Sequence, residues 1–309
     1  MNVDTYSIAL IFTVLGLGVF LSFRILNITD LTIEASYAFG ALLCAKVCKA
    51  VNPYLALLVA FLGGAFAGLI TALLHTKLKI NAILSGILTL TAFYSINLIV
   101  ANGQLSLALK AYTNEGLANY TFFPNNDWAK LGILAIITAV LMLLMALFFR
   151  TKLGISIRAC GDNEQMAKTQ SISTDNMKII GLMLSNGLVA LAGALFTEFN
   201  ASYNSNIEKG VMVVGVATII IGEVLTFKKH NIDLMLIGIL GGSIIYRVVY
   251  SFILELSFVQ SRDLQMIQAG FLIVILVAGA IFDNIKKKKV LASANFNDVK
   301  ETKEDSSNA

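Results

Sequence analysis

In a chain of 309 residues, 57% hydrophobic and 14% charged with a mean hydropathy of +0.78, water cannot be the main solvent, since a soluble domain carries about 25% charged residues. The net charge of +4 would admit nucleic acid as a partner, but no basic stripe interleaved with aromatics exists outside the loops and the tail. Cys44 and Cys48 lie four residues apart in an apolar segment and Cys160 stands alone in a polar loop, so neither a disulfide framework nor a zinc spacing is present and the cysteines read as packing residues.

Apolar runs of the roughly 20 residues needed to cross a bilayer recur along almost the whole chain. The first, Tyr6–Phe23, lacks the basic flank and small-residue cleavage site of a secretory signal and is expected to be a retained span. A weaker segment, Leu31–Val47, carries Glu34 and Lys46. Strong spans follow at Tyr54–Leu74, Ala82–Ala101, Leu131–Phe149 and Ile179–Thr197. Two weaker ones, Val211–Leu225 with Glu223 and Leu234–Leu254 with Arg247, precede a last strong span at Met266–Phe282. The pattern predicts an all-α integral membrane protein of about nine transmembrane helices, with eight to ten as the range.

Lys and Arg collect in cytoplasmic loops. Nine spans put the basic clusters at Arg24, Lys77 and Lys79, Arg150–Lys178, Lys228 and Lys229, and Lys286–Lys289 on one side, with the amino terminus outside and the carboxyl terminus in the cytoplasm. Lys46, Lys49, Lys110, Lys209 and Arg262 break the rule. Residues 1–285 form one membrane domain, in which Asn102–Lys130 is an outside loop holding Trp128 at a span entrance. Residues 286–309 are basic and then mixed in charge and poor in large apolar groups, a composition that predicts a disordered cytoplasmic tail.

The order strong, weak, Gly-Gly-bearing, strong occurs in spans one to four and again in spans six to nine, and Phe61–Gly64 (FLGG) matches Ile239–Gly242 (ILGG). Partners five spans apart cross in opposite directions, which makes an inverted repeat of the kind that builds several transporter classes. The alternative is that small residues simply let helices approach.

Acids inside apolar segments are expensive and mark pathways. Glu34, following Asp30 on one helical face, and Glu223 are therefore path candidates, with Thr32, Ser36 and Asn97 beside them. Asp30 is equally suited to cap the second span. Glu223 is close enough to its span end to be an interfacial charge, and Arg247 has Glu223 or Glu255 as partners. Asn97 and Asn186 suit helix-helix hydrogen bonds, while His75 and His230 fall at inner ends where solvated histidines are the rule. No metal-ligand cluster, no G-x-S-x-G and no paired acids in a soluble loop occur, so no catalytic residue, metal or cofactor is assigned.

The phosphate cradle G-x-x-x-x-G-K-[ST] is also absent, so ATP would have to be bound by another chain. In the long polar loop of residues 150–178, Asp162 or Asn163 followed by Glu164–Ala167 predicts an N-capped short helix lying across the membrane surface, with Asp162 and Gln165 at capping-box spacing.

The run Gly154-x-x-x-Arg158-Ala159-x-Gly161-Asp162-Asn163, then Ala167, resembles the coupling loop of ATP-binding-cassette importer permeases of the branched-chain amino acid and ribose superfamily. Phe23–Ala41 and Thr76–Leu98, with Gly181–Asn200 and Gly210–Leu225, are similar to the tryptophan/tyrosine transport permease subgroup, and the likeness covers nearly everything but the tail. That subgroup usually has Pro where Thr29 stands and Asp-Gly where this chain has Glu34-Ala35. The resemblance implies a type II-like permease in a bacterial plasma membrane, a homodimer served by a cytoplasmic ATPase and an extracytoplasmic solute-binding protein. Its coupling residues would be Gly154, Arg158, Ala159, Gly161, Asp162, Asn163 and Ala167. A proton-coupled carrier of the drug/metabolite type, of similar length and also built from duplicated halves, is the alternative.

Overall fold

A computed structural model describes residues 3–113, 116–119, 121–124, 126–205, 209–226 and 231–254, with positions 266, 269, 270, 273, 274 and 277. Ten α-helices are described. α1 (Val3–Phe20) runs on through a π-helical turn (Leu21–Ile25), and a connector that includes Asn27 at φ 54° leads into α2 (Thr32–Ala50). α3 (Pro53–Thr76), α4 (Ala82–Val100) and α5 (Asp127–Arg150) each start behind an asparagine: Asn52, Asn81 and Asn126 accept from the amides of Tyr54, Ile83 and Trp128. An Asn oxygen satisfies an amide that a helix start would otherwise leave open. α6 (Lys152–Asp162), α7 (Glu164–Thr169), α8 (Thr174–Asn200), α9 (Val211–Thr226) and α10 (Ile232–Leu254) complete the helices.

At one end of the bundle four short strands interrupt the helical pattern. β1 (Ser106–Ala108) pairs antiparallel with β4 (Ser202–Asn204), and β2 (Lys110–Thr113) with β3 (Gly116–Asn119). All-α therefore holds for the spans but not for this end, where extended connectors find backbone partners in each other.

α1 and α8 are the most enclosed helices. α8 packs against α2 and α3, and α1 against α9 and α10, while α2 pairs with α3 and α9 with α10. α2 and α8 run parallel, as the successive meetings of Ser36 with Asn186, Gly40 with Ala190 and Cys48 with Glu198 require. Their approach depends on missing side chains: a Cβ on Gly40 would strike the Ala190 carbonyl and one on Gly193 the Tyr37 carbonyl. Lipid tails are as apolar as leucine, so helix association in a membrane relies on such close packing.

Six described helices are long and apolar enough to cross a membrane: Val3–Ile25, Pro53–Thr76, Ala82–Val100, Asp127–Arg150, Thr174–Asn200 and Ile232–Ile253. Five coincide with strong sequence spans, and the sixth is the segment expected to be weak because of Arg247. α2 falls short through Glu34, Lys46 and Lys49, and α9 through its 16 residues. The expected ninth span, the cluster at Lys228–His230, Glu255 and the tail lie largely or wholly outside the described residues. Leu58, Leu62 and Phe66 of α3 and Ile136, Val140, Leu143 and Leu147 of α5 are exposed, an apolar outer face that suits acyl chains rather than water.

Candidate functional site

The acids that the sequence singles out each have a structural partner. Asp30 precedes α2 and is fully buried. Its Oδ1 accepts from the Thr32 amide at 2.9 Å and its Oδ2 from Asn186 Nδ2 at 2.6 Å. Asn186 is oriented in turn, because its Oδ1 accepts from Ser36 Oγ at 2.6 Å. Thr32, Thr71 and Thr89 continue the polar seam across α2, α3 and α4 through hydroxyl contacts of 2.6 and 2.9 Å. A buried carboxylate is tolerable only when several donors face it.

Asp30 and Glu34 meet different elements, α8 and the start of α9. The half-buried Glu34, in the first turn of α2, accepts hydrogen bonds from the backbone amides of Gly210 and Met212 at the start of α9. A carboxylate there satisfies open amides and complements the positive end of the helix dipole. Glu223 is paired with Arg24 Nε at 2.6 Å, which joins α9 to the π-helical end of the first span and leaves it unavailable to Arg247. Asn97 is buried, and its Oδ1 has no hydrogen-bond partner among the described residues.

The cavity lies elsewhere. A space of about 570 Å³ opens between α1, α2, α8, α9 and α10, walled by Phe12, Tyr37, Phe196, Tyr246 and Tyr250, with Arg247 among them. The guanidinium carbon of Arg247 stands 6.0 Å from the Phe12 ring centre and 5.4 Å from that of Tyr250, a cation-π arrangement. Arg247 Nε is buried and makes no hydrogen bond, and no ion pair forms at this residue among the described residues. None of Asp30, Thr32, Glu34, Ser36, Asn97 and Glu223 lines this space, although Gly210, which Glu34 anchors, does. Its aromatic walls carry no sequence signal that separates them from ordinary core.

At the end of the bundle opposite the β-strands, α6 and α7 form a projection between α5 and α8. The sequence predicts one short helix here and the structure has two: α6 precedes it, capped by Thr151 through the Gly154 amide at 3.2 Å. Gly154 is buried where a Cβ would meet the Phe148 carbonyl, and Gly161 rests on the backbone of Ile25 and Leu26. Asp162 ends α6, and the cap of α7 is Asn163 alone, whose Oδ1 accepts from the Met166 amide at 3.0 Å. Ala159 carries the carbonyl that accepts from the Asn163 amide, and Arg158 is half-buried beside the Arg150–Asp233 ion pair of 2.7 Å. Ala167 is 2% exposed within its own chain, so its small size serves internal packing, and among the side chains that α7 exposes, Gln165, Met166, Lys168 and Thr169, the large apolar one is Met166, 63% exposed.

Glu164 ties this projection down. It binds Lys168 at 2.9 Å and Lys178 of α8 at 2.7 Å, and those ammonium groups hold its carboxyl down at about 2.

A family described as branched-chain amino acid transport system, permease component, matches residues 2–277. The chain is similar to the tyrosine transport system permease protein of Clostridioides difficile, 34% identical over 294 residues that cover 95% of this chain and 96% of the relative. It is also similar to the probable branched-chain amino acid transport permease LivH of Methanocaldococcus jannaschii, 31% identical over 59% of this chain and 60% of the relative. The nucleoside permease NupC of Lactococcus lactis is 27% identical over 89% of this chain and 90% of the relative. No solved structure matches.

Proposed function

We infer the role of this chain from the premise that it belongs to the family of branched-chain amino acid transport system permease components. It is an ABC transporter permease, a multi-pass membrane protein and not itself an enzyme, and such permeases work with an ATPase and a substrate-binding protein.

We propose that it is a type II-like importer permease that moves a small carboxylate-bearing aromatic solute, an aromatic amino acid, inward by alternating access. The observation that carries this reading is the aromatic cavity holding Arg247. Five rings offer stacking surface, and a mostly buried guanidinium with no ion pair among the described residues is expensive unless a ligand completes it. The relative named as a tyrosine permease favours the same solute class.

The coupling segment is residues 150–178, with Gly154, Arg158, Ala159, Gly161, Asp162, Asn163 and Ala167 building the projection and Met166 meeting the ATPase. Residues 1–285 form the permease domain and 286–309 a cytoplasmic tail, with the amino terminus outside. Nine spans in an inverted repeat are supported by the exchange of packing between halves: the first helix of each lies against the second and third of the other. The homodimer reading is favoured by the cavity, which the described residues leave partly open.

The test is reconstitution with the cognate ATPase and binding protein, measuring ATP-dependent uptake of radiolabelled tyrosine, leucine and ribose. Tyrosine is expected to accumulate and ribose is not. The chain alone is expected to do neither uptake nor hydrolysis, having no nucleotide cradle. Uphill uptake by the chain alone on a proton gradient would replace this reading with a secondary carrier.

A further inference from the structure

Near the strand-bearing end of the bundle, the last turns of α2 and α8 bring together three groups that no transport role has used. Cys44 and Cys48 share one face of α2, with sulfurs 3.7 Å apart. Glu198 of α8 directs Oε1 at both, 2.8 Å from Cys48 Sγ and 3.7 Å from Cys44 Sγ. Its other oxygen accepts from the Phe122 amide at 3.3 Å, which fixes the direction in which the carboxylate faces. All three side chains are buried, with Leu107, Leu109, Ala194 and Tyr203 among the apolar groups around them.

We propose that Cys44, Cys48 and Glu198 form a binding site for a borderline-soft d10 divalent cation, Zn2+ or Cd2+. Tetrahedral zinc bonds of about 2.3 Å to sulfur place two thiolates roughly 3.8 Å apart, close to the 3.7 Å found here. Two thiolates and a carboxylate are a donor set that prefers such ions to Mg2+ or Ca2+, which take oxygen ligands. The Phe122 amide acts as the outer partner that orients a ligating carboxylate. Without a cation, Glu198 has one amide and two weak S–H donors to offset its burial, a poor exchange for water. A bound ion displaces the thiol protons, takes water in the fourth position and clamps α2 to α8, two parallel helices at the centre of the bundle. The spacing could not be read from the sequence, because the third ligand lies 150 residues beyond Cys48.

The experiment titrates the purified full chain, reduced and kept under an oxygen-free atmosphere, with Cd2+, following the ultraviolet sulfur-to-cadmium charge-transfer band. Saturation is expected at one ion per chain, with the band unchanged in Cys160→Ser and abolished in Cys44→Ser and in Cys48→Ser. Glu198→Gln should weaken binding roughly tenfold or more, as loss of a ligand or its support does. Size-exclusion profiles of all variants show that loss of the band is not loss of the fold, and Cys48→Ala, which leaves the apolar surroundings intact, is the second probe should Glu198→Gln unfold. Failure of the reduced wild-type chain to bind, or a band that persists in the Cys44→Ser/Cys48→Ser double variant, would overturn the site.

Discussion

Asn186 Nδ2 donates to Asp30 Oδ2 across 2.6 Å in the fully buried interior, joining the connector before α2 to the middle of α8. Because Ser36 holds the Asn186 oxygen and Thr32 supplies a second donor to Asp30, the amide cannot turn round without breaking another bond. Asp30→Asn brings an NH2 group against existing donors and should destabilise the chain by about 1–3 kcal/mol, the cost of a buried group left unsatisfied. Thermal unfolding of the purified variant checks it, and an unchanged midpoint would remove Asp30 from the structural core.

Periodicity reports length and composition along the chain, and not which residues meet in space. Long apolar runs fixed five spans to within a few residues, because burial in lipid needs only composition and length. Partners did not show, since Asp30 and Asn186 are 156 residues apart and Arg24 and Glu223 meet only in the fold. The sequence therefore singles out the intramembrane acids but not the residues they meet, and periodicity gives no sign that Phe12, Tyr37 and Tyr246 line one cavity. α6 escaped notice because its cap, Thr151, follows directly on the end of α5.

Glu34 links the two halves through the amides of Gly210 and Met212. Glu34→Gln keeps an acceptor oxygen and loses the charge that complements the α9 dipole, which should lower stability by about 0.5–2 kcal/mol. Gly210 lines the cavity, so uptake should fall as well. Both readouts at the wild-type level would show that α9 needs no anchor there.

Arg247→Met keeps the apolar stem and removes the cation. If the guanidinium exists to meet a solute carboxylate, affinity for tyrosine falls by about tenfold or more, equivalent to 1.4 kcal/mol or more. Tyramine, which lacks the carboxylate, should bind both proteins alike. Stability should hold or rise, because a mostly buried charge with no ion pair among the described residues is removed. A variant that unfolds while binding normally per folded molecule would make Arg247 a packing residue.

The Glu164 pairs give a pH dependence with a defined sign. Lys178 and Lys168 depress the carboxyl from 4.5 to about 2 in the folded chain, so their stabilisation is complete above the ordinary value and is lost as pH falls toward 2. Because Glu164 is partly exposed, the effect is small, on the order of 0.5–1 kcal/mol. Wild type should therefore melt slightly above Glu164→Gln at pH 7, and the gap should close between about pH 4 and 2. A gap that widens on acidification would reverse the assignment.

The projection separates two substitutions that sequence reasoning would treat alike. Ala167 is packed inside its own chain; its amide donates to the Asn163 carbonyl at the start of α7, and its carbonyl accepts from the Ile172 amide in the turn toward α8. Ala167→Arg therefore forces a charge into packed surroundings, costing several kcal/mol, and should lower the amount of permease in the membrane before any partner is involved. Met166 points outward one residue earlier, 63% exposed on a helix that Asn163 caps and Glu164 fastens. An exposed flexible thioether at the tip of a braced helix suits a partner cleft, and Met166→Asp sets a charge there without touching the internal packing. Membrane abundance of Met166→Asp should match wild type, while co-purification of the ATPase falls roughly tenfold or more, as expected when a buried anchor becomes an unpaired charge. Normal ATPase recovery with Met166→Asp would move the docking contact off α7, with the half-buried Arg158 of α6 as the next residue to replace.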